Sequence, residues 1–374
     1  MIQSPLNASI LIVTYNSAVY LQHCLASVMR EIWPEDEIIL VDNASTDGSA
    51  QIIRRGWPKV ALVRNSENLG FAAAGNQAAR LAHKELLVFL NPDTVVLPGW
   101  LDGLRQVLAS DQTAALVTSQ VLTMSQAGEI KAGGEGRCGQ APCGQVPCAQ
   151  VVHFSGLVFG RSLVHDGGKE SGHAGVGAAS GASFAVRRRV WEELGGFDET
   201  YWMYYEDTDL SWRAWHRGYR CLAAPESAIL HDQPSAPSGQ TLFYMARNRY
   251  LLLCKNFHPG TLLLLAPGII LAEAVDWGRA WLDGKRALMA KLCAGWWLLA
   301  HLPVLVRNKG AMQNDLKILE ACTYRLEPRL MPAGWIGSGL LKACNAVFRM
   351  NYRLACAVLR QLGRWRRWTR RGRT

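Results

Sequence analysis

SILIVTYNS, residues 9–17, is an apolar run that stops against polar, turn-forming residues, and the figure returns as EIILV (37–41), VALVR (60–64) and LLVFL (86–90). Short unbroken runs of Val, Ile and Leu suit strands buried on both faces of a parallel sheet. Between them, residues 17–30, 46–55 and 70–83 carry helical apolar spacing. The N-terminal part therefore reads β-α-β-α-β-α-β, a doubly wound α/β unit. Ligands of such sheets bind beyond the carboxyl ends of the strands. The sequence delivers Asn16, Asp42, Asn65 and Asp93 to that edge. Each alone reads as a turn or cap residue, whereas four at successive strand ends read as a binding edge.

Further strands are expected at 114–123, 153–159 and 178–186, interrupted by a Gly/Cys-rich insertion at 127–150. There Cys138, Cys143 and Cys148 recur every five residues, a spacing unlike common zinc sites, so the stretch reads as a flexible loop. RRRVWEELGGF gives a short amphipathic helix closed by Gly195 and Gly196, and YWMYYEDTDLSWRAWHRG a second ending at Gly218. A catalytic domain over 1–240 is expected, followed by a helical region over 241–374, apolar first and then basic. Within that region TLLLLAPGIILA (261–272) and LCAGWWLLAHLPVLV (292–306) each contain Pro and fall short of the roughly 20 residues a spanning helix needs. They read as interfacial or re-entrant helices, or else as a buried helical subdomain.

Composition narrows the class. The hydrophobic fraction is 49% and mean hydropathy +0.01, with much of the apolar excess after residue 260. No basic leader precedes the first strand, and the 10 cysteines contain no C-x-x-C pair, which fits reduced thiols in a cytosolic-facing protein. The net charge of +10 is uneven: no Asp or Glu follows Glu327, and LRQLGRWRRWTRRGRT ends the chain. Arg interleaved with Trp suits anionic headgroups at a membrane surface. Because the pattern is confined to the tail, nucleic acid is not expected as a partner. Apolar helices after residue 260 could also bury against a second copy, giving a homo-oligomer.

The chemistry gathers in NPD (91–93) at a strand end and YYEDTD (204–209) at a helix start. Two such clusters suit a group transfer that needs a divalent cation for an anionic leaving group and a base for an acceptor hydroxyl. Asp93 is the metal candidate, since Mg²⁺ or Mn²⁺ takes one or two carboxylates plus substrate phosphate oxygens. His231 is a possible further ligand, although a lone histidine is commonly structural. Glu206, Asp207 and Asp209 crowd one helical turn, which raises at least one pKa and makes a base available. Asp207 is the base candidate, and Asp209 reads as a complement to the helix N-terminus. Gly70 and the small residues 72–75 would let backbone amides approach a phosphate.

SILIVTYNS, VDNASTDGS, ENLGFAAAGNQA, FLNPD, GGFDE and YYEDTDLSWRAWHRGYR, in this order, resemble the successive motifs of family 2 glycosyltransferases, and most nearly the rhamnosyltransferase-like branch, over about residues 8–250. The resemblance implies a GT-A type mixed sheet flanked by helices, inverting chemistry, and a nucleotide pocket of Thr14, Asn16, Asp42, Asn68, Gly70 and Asn76. It matches Asp93 to the second acid of the D-x-D signature, Asp207 with Glu206 to the E-D motif, and His231 to a histidine of the metal shell. The first D-x-D position is Asn91, a neutral oxygen donor. The implied donor is dTDP-rhamnose or a UDP-sugar. The implied acceptor is a lipid-linked or cell-surface glycan of cell-wall or polysaccharide biosynthesis, handled on the cytoplasmic face of the inner membrane. Trp202 and Tyr204 are candidates for stacking on an acceptor sugar or for core packing, and Arg247 and Arg249 for its diphosphate or as ordinary surface arginines.

Two rival readings remain testable. A dinucleotide-dependent oxidoreductase would need G-x-G-x-x-G after the first strand, where TYNSAVY stands instead. A non-catalytic nucleotide-sugar-binding scaffold is suggested by Asn91 and the apolar C-terminal region.

Overall fold

The four apolar runs form β1 (Ala8–Thr14), β2 (Glu37–Asp42), β3 (Ala61–Arg64) and β4 (Leu86–Leu90). β1 pairs in parallel with β2 and β4, and β2 with β3. The crossovers are α1 (Ala18–Val28), α2 (Ser49–Gly56) and α3 (Phe71–Leu81). β5 (Thr94–Val96), α4 (Trp100–Ser110), β6 (Ala114–Thr123), β7 (Cys148–Val152), β8 (Val158–Ser162) and β9 (Ser183–Arg187) follow. Then come α5 (Arg188–Leu194), α6 (Glu206–Arg217) and β10 (Arg220–His231). The main sheet runs β3-β2-β1-β4-β9-β6-β10-β5. β9 lies antiparallel between β4 and β6, so the doubly wound half continues into a mixed sheet. Its faces are filled by two apolar clusters, one holding Ile10, Leu40, Val88 and Trp100, the other Leu11, Ile39, Phe89 and Phe184.

This computed structural model describes residues 6–123, 148–162, 175–232, 237–305, 312–326 and 335–371. Cys138 and Cys143 of the expected insertion lie outside the described residues; Cys148, expected in that loop, instead opens β7 opposite Val121 of β6. Of the strand expected at 153–159 only residues 158 and 159 are strand, opening β8, and 153–157 is a turn: His153 accepts from Gly156 N–H and donates to the Leu157 carbonyl, both at 2.8 Å. Gly156 has φ +78°, and its place inside an apolar run hid the reversal. The strand expected from residue 178 begins at Ser183, because residues 178–182 form the loop that meets α6.

The chain divides into two compact units, Met1–Gln150 with Gly160–Ser235, and Val151–Phe159 with Ala236–Thr374. The second is built on α7 (Gly239–Asn256), α8 (Pro259–Asp283), α9 (Lys285–Leu305), α10 (Asp315–Ala321) and α11 (Trp335–Arg371). It takes in residues 151–159 because Phe154 packs against Phe348 and Tyr352, and Thr323 N–H donates to the Val152 carbonyl.

The short apolar segment expected at 261–272 lies within a helix of 25 residues, and that expected at 292–306 lies, as far as residue 305, within one of 21. Pro267 does not end α8, because Asn351 of α11 fills the broken ladder. Its Nδ2 donates to the Leu264 carbonyl at 2.8 Å and its Oδ1 accepts from Gly268 N–H at 3.1 Å. By length and composition α8 could cross a membrane. Its C-terminal half is nonetheless charged, with Glu273 and Asp276 engaged by Arg249 of α7 and Lys291 of α9.

Candidate active site

Thr14 and Asp42 close β1 and β2 side by side in register, and both are fully buried. Thr14 Oγ1 has no hydrogen-bond partner, and Asp42 Oδ2 lies 3.3 Å from Arg64 Nε without hydrogen-bond geometry. Buried polar atoms left so are costly unless a ligand or water satisfies them. Just beyond β1, Asn16 turns into the left-handed region with φ +51° and accepts from Thr46 N–H at 2.8 Å.

Asn43, which the sequence reading passed over, organises this edge. Its Nδ2 donates to Asn68 Oδ1 at 2.8 Å and to the Gly70 carbonyl at 3.2 Å. Its Oδ1 accepts from Asn65 Nδ2 at 3.0 Å and from Leu69 N–H at 3.1 Å. Asn68 Oδ1 also accepts from Gly70 N–H. The cue was only a second polar residue directly after a strand-ending Asp, a pattern shared by any turn.

At the start of α3, Gly70 has φ +82°, and a Cβ there would meet Trp202 Cδ1 at 2.6 Å. Ala72 N–H donates to the Trp202 carbonyl at 3.1 Å, so that amide of the helix start is taken up by the protein itself and not left for a phosphate. Asn76 is committed as well: its Nδ2 donates to the Phe197 carbonyl and Glu199 Oε1, and its Oδ1 accepts from Phe197 N–H. Its amide therefore clamps the segment that leads to α6. In that segment Trp202, Tyr204 and Tyr205 have φ of +64°, +70° and +71°, a cluster of strained backbone directly before Glu206.

Asp207 is buried in the first turn of α6. Its Oδ2 accepts from Gly181 N–H at 2.6 Å, and its Oδ1 from Thr208 N–H at 2.6 Å and Thr208 Oγ at 3.1 Å. Burial pushes the Asp207 carboxyl up, while the Gly181 and Thr208 bonds pull it back. Glu206 has less support: its own backbone amide pulls its carboxyl down, but Oε2 is buried without a partner, and burial first, then the Asp207 charge, drives the carboxyl well above the usual range. Both carboxyls are therefore raised, Glu206 the more strongly, so that of the two Glu206 favours its protonated form more. Asp209 is spent structurally, accepting from Tyr201 Oη and pairing with Arg213 at 2.8 Å.

Gly181 is a second residue the sequence reading missed. A Cβ there would lie 3.0 Å from Asp207 Oδ2. The next residue, Ala182, accepts from Asn91 N–H at 3.0 Å, which sets the 91–93 turn and the Asp207 support at one end of β4 and β9. Asp93 is completed from the far side of the sheet. β10 pairs antiparallel with β5, His231 opposite Thr94, and places His231 Nε2 3.2 Å from Asp93 Oδ1. Asp93 Oδ1 and His231 Nδ1 are buried without hydrogen-bond partners. Among the described residues no three His, Cys, Asp or Glu side chains gather as a complete metal cage. One carboxylate and one imidazole fit a Mg²⁺ or Mn²⁺ that draws its remaining ligands from substrate phosphate and water.

Arg247 is not at a surface. It is buried in the helical unit, its guanidinium 4.7 Å from the Tyr244 ring and 5.2 Å from the Trp297 ring, with Nε donating to Asn248 Oδ1. Arg249 is buried too, and its charge is met by Glu273 and Asp276.

The family model for glycosyl transferase family 2 matches residues 9–149, and that for glycosyl transferase family group 2 matches residues 142–315. The N-acetylglucosaminyl-diphospho-decaprenol L-rhamnosyltransferase of Mycobacterium tuberculosis is 26% identical over 327 residues, covering 82% of this chain and 96% of that protein. The O-antigen biosynthesis protein RfbC of Myxococcus xanthus is 29% identical over 210 residues, 54% of this chain and 15% of that protein. Among solved structures, GalNAc-T7 with UDP, GalNAc and Mn²⁺ superposes with a TM-score of 0.55 at 20% identity, covering 71% of this chain and 51% of that one. S. aureus TarS 1–349 in complex with UDP-GlcNAc gives 0.52 at 16% identity, covering 95% and 92%. At these identities the two structures show the fold, which is GT-A-like.

Proposed function

The chain belongs to glycosyltransferase family 2, and from that premise we propose that it moves a sugar from a nucleotide-diphosphate donor to a hydroxyl of a lipid-linked glycan, with inversion, at the cytoplasmic face of a membrane. Rhamnose from dTDP-rhamnose is the preferred donor, supported by the mycobacterial relative, whose name also gives a diphospho-decaprenol acceptor. A UDP-sugar is the alternative.

The observation that carries the reading is the unequal pair at the start of α6. Asp207, ionised and held by Gly181 and Thr208, is the general base for the acceptor hydroxyl. Glu206 holds its proton beside it, which spares Asp207 a neighbouring negative charge. Thr14 and Asp42 line the nucleotide end, shaped by Asn16, Asn43 and Asn68, while Asn76 and Gly70 fix the approach of the 197–205 segment. Asp93 and His231 would hold Mg²⁺ or Mn²⁺. Such an ion, when bound, offsets the charge that develops on the departing diphosphate. Trp202 and Tyr204 remain the aromatic candidates for the acceptor sugar.

Thermal unfolding with dTDP, UDP, GDP and CMP, each with and without Mn²⁺, tests the donor pocket. A ligand at 100 times its Kd adds about 2.7 kcal/mol, so one nucleotide should raise the melting temperature in a Mn²⁺-dependent way. Asp207→Asn should keep that shift and lose turnover by a factor of about 100 or more. A shift without turnover in the unsubstituted protein on any lipid-linked acceptor would favour the scaffold reading, and near-normal turnover of Asp207→Asn would remove Asp207 as base.

A further inference from the structure

Helix α11 runs 37 residues, about 55 Å at 1.5 Å per residue. Cys344, Phe348, Asn351, Ala355 and Leu359 repeat at helical spacing along one buried face. Asn351 is tied there by its two bonds into the backbone of α8, which fixes how the helix is rotated. The residues one step round are exposed: Met350 by 70%, Leu354 by 59% and Trp365 by 62%. They lie on one stripe, and each is preceded by an exposed arginine, Arg349, Arg353 and Arg364. An apolar stripe with a parallel basic one is thus turned outward.

Charge decides what can cover it. Eleven Lys and Arg and no acid follow Glu327, so the whole formal excess of +10 resides in this part of the chain. A second copy seated on the same face would set arginine against arginine, which is unfavourable. α8 also exposes Leu263 and Ile270, but it has no Lys or Arg between residues 259 and 278 to select a charged partner. The surface of an anionic bilayer accepts both stripes at once, apolar side chains at the acyl boundary and guanidiniums on lipid phosphates, with tryptophan favoured at that depth.

We propose that α11 lies in the plane of an anionic membrane surface, with Met350, Leu354 and Trp365 entering the interface and Arg349, Arg353 and Arg364 on the headgroup phosphates. This rests on the reading above only for the presence of a membrane; the catalytic residues play no part in it.

Flotation of the full-length protein with vesicles of phosphatidylcholine alone, and of phosphatidylcholine with phosphatidylglycerol, tests the inference. The protein should partition to the anionic vesicles. The double variant Arg349→Glu, Arg353→Glu should weaken that partition by on the order of tenfold or more, since each basic residue near such a surface contributes severalfold. Met350→Glu with Leu354→Glu should abolish it, whereas Arg54→Glu on α2 should not change it. Circular dichroism melting of each variant shows that the fold is kept. Equal binding to both vesicles, no flotation, or unchanged flotation of the α11 variants would overturn the inference. So would a dimer in gel filtration that Leu354→Glu splits while flotation is unaffected. Loss of the nucleotide-dependent melting shift in the unsubstituted protein would count against the catalytic reading alone.

Discussion

Glu206 and Asp207 are neighbours of the same chemical type, separated in role by a few hydrogen bonds. The folded protein holds a proton on Glu206 well above the range in which an unfolded glutamate, at about 4.3, releases it. Between those two values the native state binds more protons than the unfolded chain, so stability falls as pH rises. Glu206→Gln removes that dependence. Its melting temperature should gain little on the parent at about pH 5 and most at about pH 8, as differential scanning calorimetry would read. For Asp207 the critical neighbour is Gly181. In Gly181→Ala the added methyl meets Oδ2 at 3.0 Å, which should displace the carboxylate proposed as base and lower kcat by about tenfold or more while the melting temperature moves little. The acidic cluster was legible because three carboxyls in one helical turn demand an explanation. Gly181 and Asn43 were not, since one acts through a backbone amide and the other looks like any turn asparagine until its four partners are placed.

Secondary elements were legible where the apolar period was unbroken, as in β1, β2 and β4, and where a glycine closed a helix, as at Gly218. They were misread where one residue is rescued by another distant in sequence. Proline in an apolar stretch argues for a helix end, and the reprieve for Pro267 lies in Asn351, more than eighty residues later. Asn351→Ala should strip partners from two buried backbone groups and cost about 1–3 kcal/mol in urea unfolding. Asn43→Asp keeps the shape at the β2 end but turns two donated bonds into opposed oxygens. It should destabilise by a similar amount and weaken nucleotide binding, seen as a smaller ligand-induced melting shift.

On the scale of the whole molecule, charge is segregated: the candidate site gathers buried carboxyls in one compact unit, and the basic excess sits at the end of the other. Screening shortens from about 10 Å at 0.1 M salt to about 3 Å at 1 M. Added salt should therefore release the protein from anionic vesicles, measured by flotation, while the relative melting of Glu206→Gln and parent stays as it was. The family and the α/β alternation could be read from the early motifs, but the place of residues 151–159 in the helical unit could not, because an apolar stretch does not say which core it will join.

That stretch has a consequence for how the protein is made. The chain leaves the sheet-bearing unit at residue 150, returns at 160, and leaves again after 235. Phe154, fully buried, waits during synthesis for Phe348, almost two hundred residues downstream. A ribosome that stops near residue 240 would release not an independent catalytic half but a chain with an unanswered aromatic residue in its middle, a natural handle for chaperones and proteases.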